Sequence, residues 1–254
     1  MTTLEGRQAP GTPVWIEHAA ADPTASKAFY RDVVGWQIDD SGPEFGHYGM
    51  ASVDGRMAAG LGSAQPGMPA AWTLYLESDD LSGTAARGVE LGGATLVPAT
   101  GVPTVGEFAV LRDPTGATIG LWRSDPFTGF GAVAEVGFAG WHELVTTDLA
   151  AAQAFYTELF GWTVQPMEGS DGSYLTVHLT PGADPVAGMT ALPDDAPITT
   201  SYWHTYVQVP DADKAADLVR EGGGTLLQEP FDTPNGRMVL ARDPEGAPFS
   251  LFAD

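Results

Sequence analysis

Residues 14–38 read VWIEHAAADPTASKAFYRDVVGWQI, and residues 140–164 read GWHELVTTDLAAAQAFYTELFGWTV. An offset of 126 residues sets Phe29-Tyr30 on Phe155-Tyr156, Trp15 on Trp141, Glu17 on Glu143, Asp22 on Asp148 and Gly35-Trp36 on Gly161-Trp162. The match continues with small slips: Trp72 meets Trp203, Gly92-Gly93 meets Gly223-Gly224, and Asp113-Pro114-x-Gly116 meets Asp243-Pro244-x-Gly246. Self-similarity across most of both halves marks two copies of one folding unit, each with surface to bury against the other. Function is expected where the copies meet.

Each copy is itself double. Val14 to Ala20 reads as a strand, Asp22 as a helix N-cap and Pro23 as the first helical residue, where its missing N–H costs little. Helical spacing of Ala25, Ala28, Phe29 and Val33 runs up to a stop at Gly35. Three short strands follow, around Gln37, Tyr48 to Val53 and Met57 to Leu61. Ala71 to Glu77 then opens a second unit, with Asp79-Asp80 capping a helix to about Leu91 and strands near 94–97, 107–112 and 118–122. The second half repeats this order, with helices near Leu149–Phe160 and Ala212–Glu221. The expected organisation is a flexible arm over 1–12, a first domain over 13–123, a small-residue linker over 124–137 and a second domain over 138–254.

A formal net charge of −22 argues against nucleic acid or an anionic membrane as a partner, since both repel such a surface. The absence of cysteine removes disulfides, thiolate catalysis and thiolate metal sites. The start, MTTLEGRQAPGTP, has no apolar segment, and no stretch approaches membrane-spanning length, so a cytoplasmic location is expected.

The pattern D-x₆-F-Y-x₄-G-W after a short strand, followed by G-G and D-P-x-G, resembles the vicinal oxygen chelate superfamily. That group includes glyoxalase I, extradiol dioxygenases, fosfomycin-resistance enzymes and bleomycin-binding proteins. The resemblance covers roughly 13–123 and 138–253 in tandem. It implies an α+β fold of four βαβββ modules in two glyoxalase-like domains, with mixed sheets curled into partly closed barrel cups that hold ligands. It also implies metal-ligand positions on three strands of each cup. Those positions carry Trp15, Thr73 and Gly120 in the first half and Trp141, His204 and Ser250 in the second. Of the six only His204 is a metal-binding residue type, because the indole nitrogen is a donor without a free lone pair. No metal and no other cofactor is therefore expected.

Strand alternation puts Glu17 on the face of Trp15 and Glu143 on the face of Trp141. A carboxyl in an apolar cup has its pKa raised by desolvation and serves as an acid or base, or as a hydrogen-bond anchor. The competing reading is a brace bonded to backbone or arginine. His204, which has Thr73 as its counterpart, is the third candidate for chemistry, against the reading of a satisfied structural histidine. His142 points to the opposite face from Glu143. Trp15, Tyr75 and Trp122 in the first cup, and Trp141, Tyr206 and Phe252 in the second, are candidates for a platform that stacks a flat ligand. A simply filled barrel is the alternative. Trp36 and Trp162 are read as core behind the helices.

Two functions follow. The first is metal-independent binding of an apolar or aromatic small molecule such as a natural product or antibiotic, resembling bleomycin-type resistance proteins. The alternative is a glyoxalase- or dioxygenase-like enzyme, either metal-free with Glu17, Glu143 or His204 in acid–base roles, or with displaced metal ligands such as His204 with Glu17. The expected partner is one small organic ligand, with the chain itself a monomer or weak homodimer.

Overall fold

Asp22 begins the first helix by accepting the backbone N–H groups of Thr24 and Ala25 at 3.1 and 3.0 Å. Gly35, at φ 85°, ends it by donating its N–H to the Arg31 carbonyl, a left-handed geometry that glycine adopts without cost. Asp148 and Gly161 do the same for the equivalent helix of the second half. The structure, a computed structural model, describes residues 2–254 apart from Leu4, Glu5, Asp171, Asp195 and Pro197.

In chain order the first half runs β1 (Thr2–Thr3), β2 (Pro13–Ala20), α1 (Pro23–Val34), β3 (Gln37–Asp40), β4 (Gly49–Val53), β5 (Arg56–Ser63), β6 (Ala71–Glu77), α2 (Leu81–Glu90), β7 (Ala94–Val102), β8 (Gly106–Arg112) and β9 (Thr118–Ser124). After β10 (Ala132–Val133) the second half repeats the pattern with β11 (Ala139–Thr146), α3 (Leu149–Phe160), β12 (Thr163–Pro166), β13 (Tyr174–His178), β14 (Pro185–Ala191), β15 (Tyr202–Gln208), α4 (Ala212–Glu221), β16 (Thr225–Thr233), β17 (Gly236–Arg242) and β18 (Pro248–Ala253). Strand β7 extends beyond the four residues expected, because pairing with β8 carries it to Val102 through two register shifts.

Each half builds one eight-stranded sheet, ordered β3-β4-β5-β2-β6-β9-β8-β7 and β12-β13-β14-β11-β15-β18-β17-β16. The two βαβββ modules of a half join through an antiparallel central pair, β2 with β6 and β11 with β15, while β5 and β9 run parallel to their central neighbours. The sheets curl into cups without closing into barrels. Ahead of β2, Arg7 bonds the Glu77 carboxylate at 2.8 Å and Gly11 donates to the Glu77 carbonyl, so the residues leading into the first domain lie against its sheet. No described helix is long and apolar enough to cross a membrane.

One face of each sheet carries the helices. Trp72 donates to the Tyr30 hydroxyl and Trp203 to the Tyr156 hydroxyl, each at 2.9 Å, with Trp36 and Trp162 buried beside them. These helix-bearing faces pack on each other between domains. Phe29 meets Phe249 edge-on at 5.9 Å, and Glu245 accepts the N–H groups of Ala21 and Asp22. Tyr30 bonds Asp243 and Tyr156 bonds Asp113 across the junction. The contact between copies is thus aromatic packing and satisfied hydrogen bonds. A cavity lies elsewhere, in the cup of the first sheet, whereas the sequence led to an expectation of function at the junction.

Candidate active site in the first cup

The cup is built from the faces turned away from the helices. On β2, Trp15 stands opposite Tyr75 of β6, and Glu17 opposite Thr73. Gly60 of β5 pairs with Glu17 on the other side. A Cβ at Gly60 would overlap the Tyr48 hydroxyl, so the absent side chain lets Tyr48 reach inward. Tyr48 donates to Glu17 Oε2 at 2.8 Å and accepts from Trp15 Nε1 at 3.4 Å, while the Tyr75 hydroxyl approaches Glu17 Oε1 at 3.5 Å. Gly120 of β9 faces Tyr75, and the ring lies where a Cβ would be. The position that the family resemblance reserves for an acid is therefore covered by a phenol ring.

Above this floor stands a cavity of about 720 Å³. Its walls include Trp15, Tyr75, Phe108, Trp122 and Phe127, with Phe45 at the mouth. Trp122 donates to the Phe127 carbonyl at 2.9 Å, and Phe127 meets Trp15 edge-on at 4.9 Å, so the rings hold one another in place. Glu17 is the carboxyl group of this lining. Burial among the rings pushes its pKa up, more than the Tyr48 and Tyr75 hydrogen bonds and the nearby His18 pull it down.

The second sheet repeats the constellation. Trp141 stands opposite Tyr206, and Glu143 opposite His204. Trp141 donates to the Tyr174 hydroxyl at 2.8 Å, Tyr206 donates to Glu143 at 3.3 Å, and Gly188 makes room for Tyr174 as Gly60 does for Tyr48. Burial raises the Glu143 pKa as well. The differences lie around this quartet: Thr73 is replaced by His204, Gly120 by Ser250, Phe108 by Met238 and Trp122 by Phe252. His204 Nε2 and Ser250 Oγ are 2.7 Å apart, and His204 Nδ1 is buried without a hydrogen-bond partner. Burial pushes that imidazole down to about 4, so it is neutral at physiological pH.

Of the residues singled out from sequence, Trp15, Glu17, Tyr75 and Trp122 converge on the one cavity. Trp141, Glu143, His204, Tyr206 and Phe252 belong to the second sheet. Glu17 lines the first cup and His204 stands on the second sheet, on the faces of the two sheets that are turned away from the junction. A metal shared by that pair of displaced ligands is ruled out by the topology. His142 lies on the helix-bearing face, bonded to Thr205 and stacked on Phe130 at 6.0 Å, and burial pushes it down to about 3. His18 lies on the corresponding face of the first sheet, 2.7 Å from Asp243.

Sequence reasoning missed Tyr48, Tyr174, Phe108 and Phe127. Tyr48 and Tyr174 carried a signal, since they are related by the same 126-residue offset as the two tryptophans. Phe127 was hidden by its place in the expected linker.

The donor set does not fit a metal ion. Trp15, Thr73 and Gly120 supply no ligand triad, and His204 is joined only by Trp141 and Ser250 at the second set of positions. Among the described residues no three His, Cys, Asp or Glu side chains gather closely enough to hold one.

Comparison with known proteins agrees with this architecture. The model of the glyoxalase/bleomycin resistance protein/dioxygenase superfamily matches residues 138–251, and that of the glyoxalase-like domain matches 15–121. CFP32 of Mycobacterium tuberculosis, named for a proposed glyoxylase role, is 35% identical over 249 residues, covering 95% of this chain and 94% of its own. The anthracycline biosynthesis protein DnrV of Streptomyces peucetius is 34% identical over 263 residues, covering 96% and 94%. Among solved structures, the 2,3-dioxygenase LapB of Pseudomonas sp. KL28 superposes with a TM-score of 0.64 at 18% identity, over 97% of this chain and 94% of that one. The Mn(II)-bound glyoxalase of Novosphingobium aromaticivorans gives 0.66 at 14% identity, over 96% and 82%. With its duplicated sheets, its two family matches and full-length relatives above 30% identity, this chain belongs to the glyoxalase/bleomycin resistance protein/dioxygenase superfamily, in the tandem two-domain form.

Proposed function

We propose that the first cup binds a flat apolar or aromatic small molecule through its own side chains rather than through a metal ion. One observation carries this reading: the cavity of about 720 Å³ is walled by aromatic rings and has Glu17 as its carboxyl group. That volume lies within the roughly 300–1,000 Å³ of sites that enclose drug-sized ligands. Rings fixed by mutual contact give up little entropy when a planar ligand slides between them. The similarity to DnrV, a protein of anthracycline biosynthesis, and the bleomycin resistance branch of the family support a natural product as ligand. The partner set is one organic molecule, without nucleic acid or membrane, in a cytoplasmic monomer whose two domains cover each other's helix faces.

Titration with a planar aromatic probe such as acridine at neutral pH, followed by tryptophan emission, tests the proposal. Quenching that saturates, and that weakens in Trp122→Ala and Phe127→Ala, is the expected result. Saturation that both variants leave unchanged would place the ligand elsewhere.

A second reading is favoured by the raised pKa of Glu17. A carboxyl that holds its proton beyond the usual range donates or accepts one on a bound substrate, which makes the cup a metal-free acid–base enzyme. Glu17→Gln separates the two readings. It leaves the aromatic walls and the binding of a neutral planar probe in place in both cases, and abolishes turnover in the second.

A further inference from the structure

Several other described carboxyls out of water have a cation or a full set of donors; Glu143, the repeat equivalent of Glu17, does not, but it lies outside the cavity. Glu77 has Arg7 at 2.8 Å and Glu135 has Arg56 at 2.9 Å. Asp243 has His18 at 2.7 Å. Asp113 has no cation but receives hydrogen bonds from the Thr115 amide and hydroxyl, the Ala117 amide and Tyr156. Glu17 has neither. Its partners are the hydroxyls of Tyr48 and Tyr75, one of them at 3.5 Å, and no lysine or arginine pairs with it among the described residues. The Glu17 carboxyl opens instead onto a space ringed by Trp15, Tyr48, Tyr75, Trp122 and Phe127.

An uncompensated carboxyl inside a ring of aromatic side chains is the chemistry that holds an organic ammonium. The rings attract a cation through their negative faces, and the carboxylate supplies the opposite charge. A formal net charge of −22 adds a long-range field that concentrates cations at the surface. We infer that the ligand of the first cup carries a positive charge on or beside its aromatic body, as a ring nitrogen or alkylated amine, seated against Glu17. This deepens the aromatic-ligand reading above and rests on it.

The ionisation balance follows. In the empty cup the Glu17 carboxyl retains its proton beyond the ordinary carboxylate range. A cation entering the cup displaces that proton to solvent and leaves a carboxylate–cation pair. Of the groups that face Glu17, Tyr48 and Tyr75 have pKa values pushed far up by burial and stay neutral. His18 lies behind the strand, on the other face, paired with Asp243. The proton released is therefore that of Glu17.

The test compares 1-methylquinolinium, a permanent flat cation, with its neutral isostere 1-methylnaphthalene, by calorimetry on the full chain. The cation is expected to bind at least about tenfold more tightly at neutral pH. Its affinity should rise with pH until Glu17 is ionised, while that of the isostere stays flat. The cation's binding heat should also vary with buffer ionisation enthalpy, reporting the released proton. In Glu17→Gln, which keeps an acceptor for Tyr48, the cation should lose about tenfold and the isostere should change less than about twofold. Equal or tighter binding of the isostere overturns the inference and leaves the aromatic-ligand reading intact. Failure of both compounds to bind overturns the two together. A cation preference that survives Glu17→Gln also overturns the inference, whatever the variant's stability.

Discussion

The Tyr30 hydroxyl of the first domain donates to Asp243 of the second at 3.1 Å, and its repeat equivalent Tyr156 donates back to Asp113 at 3.0 Å. Each acceptor is the aspartate of the D-P-x-G turn, whose other oxygen already receives the backbone amides of that turn. One side chain therefore shapes a local turn and locks the opposite domain. The two halves clasp through their helix-bearing faces, and both cups are left facing outward.

The clasp predicts a stability effect. Tyr30→Phe leaves the Asp243 oxygen with one donor fewer in a buried site and should cost about 1–3 kcal/mol. Tyr156→Phe should cost a similar amount. Chemical denaturation measures both, and a neutral effect in each would mean that the bonds carry no weight.

His18 makes the clasp asymmetric, since the equivalent position in the second half is Leu144. Burial pushes the Asp243 pKa up, but hydrogen bonding and charge from His18, with help from Ala247 and Tyr30, hold it below the usual carboxylate range. A carboxylate depressed in the folded state stabilises the fold above its ordinary pKa, and the contribution is lost as pH falls through the depressed value. His18→Leu should therefore be less stable near neutrality, and its stability should fall less steeply below about pH 4 than that of the wild type. Denaturation midpoints across that range would reveal parallel curves if His18 had no such role.

Burial also fixes the response at milder acidity. His204 is pushed down to about 4 and His142 to about 3. A histidine that resists protonation only when folded favours the unfolded chain once pH falls below its ordinary value near 6.5. Stability should decline from about pH 6.5 downward, with the His204 contribution levelling off near its folded value. His204→Gln should flatten that decline. An unchanged slope in the variant would show that His204 titrates normally.

Gly60 and Gly120 hold the floor of the cup open for Tyr48 and Tyr75. Gly60→Ala forces the Tyr48 hydroxyl off Glu17 and should cost about 1–3 kcal/mol, as overpacked cores do. It should also lose the probe binding that Trp122→Ala only weakens. Calorimetry and a thermal melt on the same sample separate the two effects, and retention of full probe affinity would place the ligand away from Glu17.

Much of this was legible in sequence, for identifiable reasons. The capping aspartates, the glycine stops and the alternation of Trp15 with Glu17 are local signals, and the structure places all of them where local chemistry sends them. The duplicated halves fixed the module count. Two things were not local. Which faces meet depends on Tyr30 reaching Asp243, a contact across 213 residues that no periodicity encodes. The cavity wall depends on Phe127, which lies in a connecting segment whose small residues read as a spacer. Tyr48 was available through the repeat offset, but the register of its strand could not be set from composition alone.

A flat aromatic ligand in the first cup against Glu17 is the arrangement from which the binding predictions above descend. A crystal structure of the protein soaked with 1-methylquinolinium tests it most directly. Ring density is expected between Trp122 and Phe127, with the charged nitrogen beside the Glu17 carboxylate. Density for the probe at the domain junction or in the second cup, with the first cup empty, would contradict it.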